Sequence, residues 1–225
     1  MNPADGGVKG EPRRYRSPLR AQRARANREA VVRAARDLFL EQGYPRTSVA
    51  EVARRAGVSS DLVYKLFETK KGLLVEVLNF AVTGVTDSPP VLEQEGPRAM
   101  AAEPDPRRQM SMMAPDIAAR IERMRPIDDV FRSAATVDDE VAAQWADLRD
   151  TRWRNLRRAV DAILAHGPLR EGVTADDAAT TIWLLAGPET HRQLVDVRGW
   201  TQEKYAAWLA DALGLLLLPA PASAS

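Results

Sequence analysis

Apolar residues recur along this chain at helical spacing almost throughout. Between Arg28 and Gln42, Val31, Ala34, Ala35, Leu38 and Phe39 fall at i, i+3, i+4, i+7 and i+8, which marks one buried helix face, and Gly43 supplies a left-handed stop. Val49, Val52, Ala53 and Ala56 form the inner face of a second, short helix. Thr47 or Ser48 caps it, and Ser48 and Glu51 stand at capping-box spacing. The turn Ala56-Gly57-Val58-Ser59 follows. Ser59 then caps a third helix from Ser60 to about Phe67, with Leu62, Val63, Leu66 and Phe67 apolar. Thr69 caps a fourth helix that begins at Lys70 and carries Leu73, Leu74, Val77, Leu78, Phe80 and Ala81.

Beyond residue 85 the pattern loosens. Pro89-Pro90, Gly96-Pro97 and Pro104-Asp105-Pro106 break any long helix and leave room for a short one near 91–102. Helical spacing resumes from Arg107 to Met124, with a break expected at Pro115. A separate helix is expected from Pro126 to Ala135. The longest periodic segment runs from Asp138 or Asp139 to about His166 and stops at Gly167-Pro168. Thr174 caps a further helix, interrupted at Gly187-Pro188 and resuming to Val197. Thr201 caps the last, from Gln202 to about Leu218. No strand-like alternation lasts more than a few residues. The fold class is all-α, about nine helices in total.

The expected domains are a basic, disordered N-terminal arm (1–27), a helix-turn-helix domain (28–78), a helical bundle (79–218) and a frayed tail (219–225). Net charge is only +1 over 225 residues, yet it is unevenly placed. Residues 1–78 hold 16 Lys/Arg against 9 Asp/Glu, and the remainder 16 against 22. A basic front and an acidic back suit a chain whose front alone meets a polyanion. There is no cysteine, which excludes disulfides and thiolate chemistry and fits a cytoplasmic location. No apolar run is long enough to span a bilayer, so no membrane partner is expected.

A helix, a tight glycine turn and a second short helix form the usual device for entering a DNA major groove. Motifs of catalysis are missing: no glycine-rich phosphate loop, GxSxG, HExxH or paired Glu-x-x-His. The two histidines, His166 and His191, have no neighbour at ligand spacing, so neither a metal nor a cofactor is expected. A helical carrier or enzyme remains the reading from another class.

At Phe39-x3-Gly43-Tyr44, Thr47-Ser48-Val49-x2-Val52-Ala53-x2-Ala56-Gly57-Val58-Ser59 and Val63-Tyr64-x2-Phe67-x-Thr69-Lys70-x2-Leu73-Leu74 the chain resembles the TetR family of transcriptional regulators. The resemblance covers roughly fifty residues. It implies that Thr47, Ser48, Tyr64 and Lys70 contact backbone phosphates of double-stranded DNA. It also implies base reading by Ser60, Asp61, Leu62 and Lys65, beside Ser59, which serves first as a cap. Two positions depart from the pattern. Many members have a small or basic residue at the place of Asp61, and an aromatic or histidine at that of Leu66.

The same resemblance makes the rear half an effector-binding and dimerisation domain. The last two helices would pair with their copies through Trp183, Leu184, Leu185, Leu194, Trp208, Leu209, Leu213 and Leu216, although a monomeric core would read alike. Candidate ligand contacts are Met110, Met112, Met113, Ile117, Ile121, Met124, Phe131, Trp145, Trp153, Trp183 and His191, with Arg120 and Arg149 as further polar anchors. The implied function is that of a homodimeric repressor released from a pseudo-palindromic operator by a small apolar or amphipathic ligand. A ligand-independent regulator or an activator is the variant the residues leave open.

Overall fold

The computed structural model describes residues 18–220. Within that span the chain forms ten α-helices and no strand. They are α1 (Pro18–Arg46), α2 (Val49–Ala56), α3 (Ser60–Phe67), α4 (Lys70–Thr83), α5 (Glu95–Ala102), α6 (Pro106–Ala134), α7 (Asp139–Leu164), α8 (Ala175–Leu185), α9 (Pro188–His191) and α10 (Gln202–Leu217). A 3-10 turn at Val91–Glu93 precedes α5, and a π-helical segment, Arg192–Val197, follows α9. Among the described residues, no helix is long and apolar enough to cross a membrane.

Helix starts are written in side-chain chemistry. Ser48, Ser59, Thr69, Asp138 and Thr201 each accept a first-turn amide N–H, and Thr174 and Asp177 form a complete capping box. The turn between α2 and α3 pivots on Gly57, whose φ of 70° is the left-handed conformation that glycine adopts without a Cβ clash.

Two helices depart from the expected limits. α1 begins at Pro18 rather than Arg28, so residues 18–27 are helical and not part of a disordered arm. Arg20 to Asn27 are exposed, so they show no apolar period. Their Ala, Arg and Gln residues instead favour helix intrinsically. The expected disorder of Met1–Ser17 and of the tail beyond Ala220 falls outside the described residues. α6 runs unbroken through Pro115 and Pro126, where a stop had been expected. Each proline costs one backbone bond, but α6 buries Met113, Ala114, Ala118, Ile121, Met124, Ile127 and Phe131 along its length, and that packing outweighs the loss.

Two apolar clusters fill the molecule. The first joins α1 to α4 with the second half of α6, through Val32, Leu38, Phe39, Val52, Val63, Phe67, Leu74, Ile127 and Phe131. This core crosses the expected boundary after residue 78 without interruption. The second packs the first half of α6 against α7, α8 and α10, around Met110, Ile163, Ile182, Tyr205, Leu209 and Leu213. Burial pushes the phenol of Tyr205 up to about 12 and favours its neutral form, which donates to the Leu185 carbonyl at 3.0 Å.

The junction of α3 with α4 is the tightest local feature. Glu68 has φ 62°, ψ −49°, and the Thr69 N–H donates to the Phe67 carbonyl at 2.6 Å, which closes a strained γ-turn. Gly72 lies directly against that same carbonyl, and a Cβ there would fall inside its van der Waals radius. Lys70 pins the junction from the other side. Its Nζ donates to the carbonyls of Tyr44 (3.0 Å) and Thr47 (3.1 Å) and lies 4.1 Å from the centre of the Tyr44 ring.

Two outcomes test this junction. Gly72→Ala should lower stability by about 1–3 kcal/mol in urea denaturation of the full chain; an unchanged midpoint would show that the turn relaxes freely. Lys70→Ala should cost a similar amount, about 1–3 kcal/mol, because two charge-assisted bonds to carbonyls vanish. A neutral effect would reduce Lys70 to a surface charge.

Candidate nucleic-acid interface and interior cavity

α2 and α3 bury Val49, Val52, Ala53, Val63 and Phe67 and turn their other faces outward. On the outer face Ser48, Ser59, Asp61 and Lys65 are exposed, Tyr64 is 51% exposed, and Ser60 and Leu62 are half-buried. Ser59 spends its hydroxyl oxygen on the Leu62 N–H at 3.2 Å, as a cap should. Leu66 is half-buried against the first core, so its departure from the family pattern puts an apolar contact there.

Two of the expected phosphate contacts are placed differently. Thr47 is 2% exposed, and its hydroxyl donates to the carbonyls of Gly43 (2.9 Å) and Leu38 (3.3 Å). Its side chain therefore braces the α1–α2 turn. Lys70 is likewise turned inward as described, and burial holds its pKa below the ordinary lysine value.

Behind the front helices a cavity of about 760 Å³ lies between the two cores. α4 lines it with Leu78, Asn79 and Val82. The loop and α5, α6, α7, and the α8–α9 corner supply the other walls. Of the expected ligand contacts, Met112, Met113, Ile117, Ile121, Met124, Trp145 and Trp183 line it, as do Arg120 and Arg149. Met110, Phe131, Trp153 and His191 do not. Met110 and Phe131 are fully packed in the second and first cores, and Trp153 donates to the Thr180 hydroxyl at 3.1 Å. His191 is 1% exposed, edge-on to Tyr205, and shares a hydrogen bond with Gln202 Oε1 at 2.8 Å. These four are corrections: helical period marks burial but not which hollow a buried side chain faces.

The cavity's polar groups sit at two places. Arg120 donates to Asp116 (2.7 Å), Gln94 (2.9 Å) and the Val82 carbonyl (3.1 Å), which ties α6 to the end of α4. At the other place Arg149 lies over Trp145 and Trp183 and pairs with Glu189 at 3.2 Å. Arg152 donates to the carbonyls of Trp183 (3.2 Å) and Ala186 (2.6 Å), and burial lowers its pKa to about 10. Asp128 accepts from Trp145 Nε1 at 3.0 Å through Oδ1, while its buried Oδ2 has no partner. Asp128 and Arg152 were not picked out in the sequence. The available signal was position: Asp128 interrupts the apolar series Ile121, Met124, Phe131, and Arg152 lies midway between Leu148 and Leu156. Among the described residues, no group of His, Cys, Asp or Glu is placed to hold a metal ion.

Burial raises the pKa of Asp128, opposed by the Trp145 hydrogen bond. A carboxyl whose folded pKa is raised supports the fold below its unfolded value and loses that support as pH climbs through the folded one. Asp128→Asn should therefore raise the melting midpoint at neutral pH, by at most a few degrees, since an unpaired amide costs less than an unpaired charge. The gain should fade as pH falls toward the ordinary carboxyl range. A lower midpoint at pH 7 in calorimetry would show that the charge is compensated in the fold.

Residues 31–77 match the family model described as bacterial regulatory proteins, tetR family. The regulator HbdR of Aromatoleum sp. (strain CIB) is 38% identical over 71 residues, a stretch covering 32% of this chain and 28% of that protein. Solved structures share the whole fold at lower identity. NalD of Pseudomonas aeruginosa, the secondary repressor of the MexAB-OprM multidrug efflux pump, aligns with a TM-score of 0.64 at 20% identity, over 88% of this chain and 98% of its own. A regulator structure from Saccharomonospora viridis, solved with choline, aligns at 0.61 and 16% identity over 86% and 98%. Residues 31–77, which hold the helix-turn-helix, are thus similar to the DNA-binding segment of TetR-family regulatory proteins, and the chain as a whole shares the all-helical fold of these solved structures.

Proposed function

We propose that the chain is a DNA-binding transcription regulator, acting in the cytoplasm as a homodimer and released from its operator by a small amphipathic ligand. The observation that carries the DNA-binding part is the outward face of α3. Asp61, Tyr64 and Lys65 project from a short helix whose start, end and depth are fixed by Ser59, the γ-turn and Phe67. Two such helices, related by a two-fold axis, fit successive major grooves of a pseudo-palindrome.

Support for the dimer comes from Leu184 (59% exposed), Leu215 (72%) and Leu216 (41%) on α8 and α10. Leu209 and Leu213, expected at the same interface, are buried in the chain's own core and leave it. Support for ligand control comes from the cavity, whose volume suits a small molecule and whose wall includes α4, the helix next to α3. A neighbour of the same fold was solved with choline. The ligand acts by binding one α4 position better than another, and affinity for DNA changes by the same factor.

Selection from a random DNA library with the full chain tests the reading. The expected product is a pseudo-palindromic motif. Lys65→Ala should relax one base-pair position per half-site, at a cost of about 1–3 kcal/mol. Tyr64→Phe should weaken binding to all sequences alike, as loss of a phosphate contact does. No enriched motif at moderate salt would sink the DNA-binding function.

A further inference from the structure

The polar groups of the cavity are not equally satisfied. Arg120 and Asp116 neutralise each other, and Arg152 gives its donors to two carbonyls while its charge still acts on Asp128 and Arg149. What is left lies where α6, α7 and the α8–α9 corner meet. Asp128 is 5% exposed and has one oxygen without any partner, and the buried Trp183 Nε1 donor has none either. Beside it the Arg149 guanidinium lies 4.8 Å from the Trp145 ring centre and 5.1 Å from that of Trp183, close enough for the ring faces to attract its charge. Glu189, half exposed, accepts from Arg149 at 3.2 Å.

We infer that this end of the cavity is a cation site: it takes the ammonium head of an amphipathic ligand, and Arg149 is a removable internal stand-in for that head. The inference rests on the ligand-gated function proposed above and names the ligand's class. Two tryptophans and two carboxylates converge on a position already occupied by a positive group. That group is exchangeable, since the Arg149 side chain is 35% exposed and has a single side-chain hydrogen-bond partner, and the contacts it gives up are the ones a ligand cation would make in its place. It can swing toward water at little cost, because a long charged side chain keeps its stem on the protein while its head is solvated. A ligand ammonium would then inherit the tryptophan faces and Glu189, and take over from Arg149 as the positive charge facing Asp128, whose Oδ2 has no hydrogen-bond partner. An anionic head fares worse: it competes with Glu189 for Arg149 and stands near the Asp128 side chain, whose Oδ2 has no partner. Apolar wall residues such as Leu78, Val82, Ile117 and Leu156 suit the ligand's hydrocarbon body.

The test is calorimetric titration of the full chain with octyltrimethylammonium, octanoate and octanol, followed by gel shift on the selected operator. The ammonium should bind at least about tenfold more tightly than the other two. Asp128→Asn and Glu189→Gln should each erase most of that preference, and Arg149→Ala should strengthen ammonium binding by removing its competitor. Tighter binding of octanoate, lost in Arg149→Ala, would overturn the cation site and leave ligand control standing, with Arg149 an anion anchor. Tighter binding of octanol would also overturn it, in favour of an uncharged head. Failure of all three to bind or to release DNA would overturn the cation site and ligand control together, while operator binding without ligand would still stand.

Discussion

The contact on which the rest depends is the approach of the first turn of α4 to the last carbonyl of α3. With Gly72 lying on the Phe67 oxygen and only Glu68 and Thr69 between the helices, in a γ-turn, α3 has no slack relative to α4. Lys70 adds a second tie, from α4 back to the α1–α2 turn, where Thr47 is already bonded to carbonyls at the end of α1. α3 is therefore positioned by backbone contacts and buried donors, which leaves its outer side chains free of structural duty. This explains why Thr47 and Lys70, which the family resemblance assigns to phosphates, are first of all parts of the scaffold.

The second domain follows a different principle. Its helices leave a hollow and line it with charges in the middle of otherwise apolar stripes. Asp128 and Arg152 are each costly to bury, and neither repays that cost with a direct ion pair to the other. A chain folding for stability alone would place an apolar residue at 128. In the proposed cation site, the orphan oxygen is the unfilled half of a contact whose other half comes from outside the chain.

How far the sequence disclosed all this depends on whether the decisive interaction was local. Caps at Ser48, Ser59, Thr69, Thr174 and Thr201, and the turn at Gly57, involve groups within four residues, and they stood where their chemistry put them. The continuity of α6 through Pro115 and Pro126 did not, because it is decided by helices distant in sequence. The start of α1 was invisible for the opposite reason: residues 20–27 touch no core, so no apolar period announces them. In the cavity the side chains were legible as a set but not sorted. Met110 and Met113 are three residues apart on one helix face, yet only the second reaches the hollow.

α4 is the element through which the two halves can speak, and it is held at both ends. Its first turn is locked to α3 by Gly72 and to the α1–α2 turn by Lys70. Its last turn is held by α6, with Arg120 donating to the Val82 carbonyl at 3.1 Å, and Arg123 to those of Ala81 and Val82 at 3.2 Å each. Between these anchors Leu73, Leu74 and Val77 are fully buried in the first core. Such a helix does not bend gradually; it shifts as a body or not at all. Arg120 both lines the cavity and grips the end of α4, so a ligand that disturbs Arg120 acts on the anchor itself and needs no longer chain of contacts. Each tenfold loss of DNA affinity then requires about 1.4 kcal/mol of preference by the ligand for the shifted α4. A charged head moved into a desolvated site can supply that, whereas filling the hollow with an apolar body that fits both positions equally cannot.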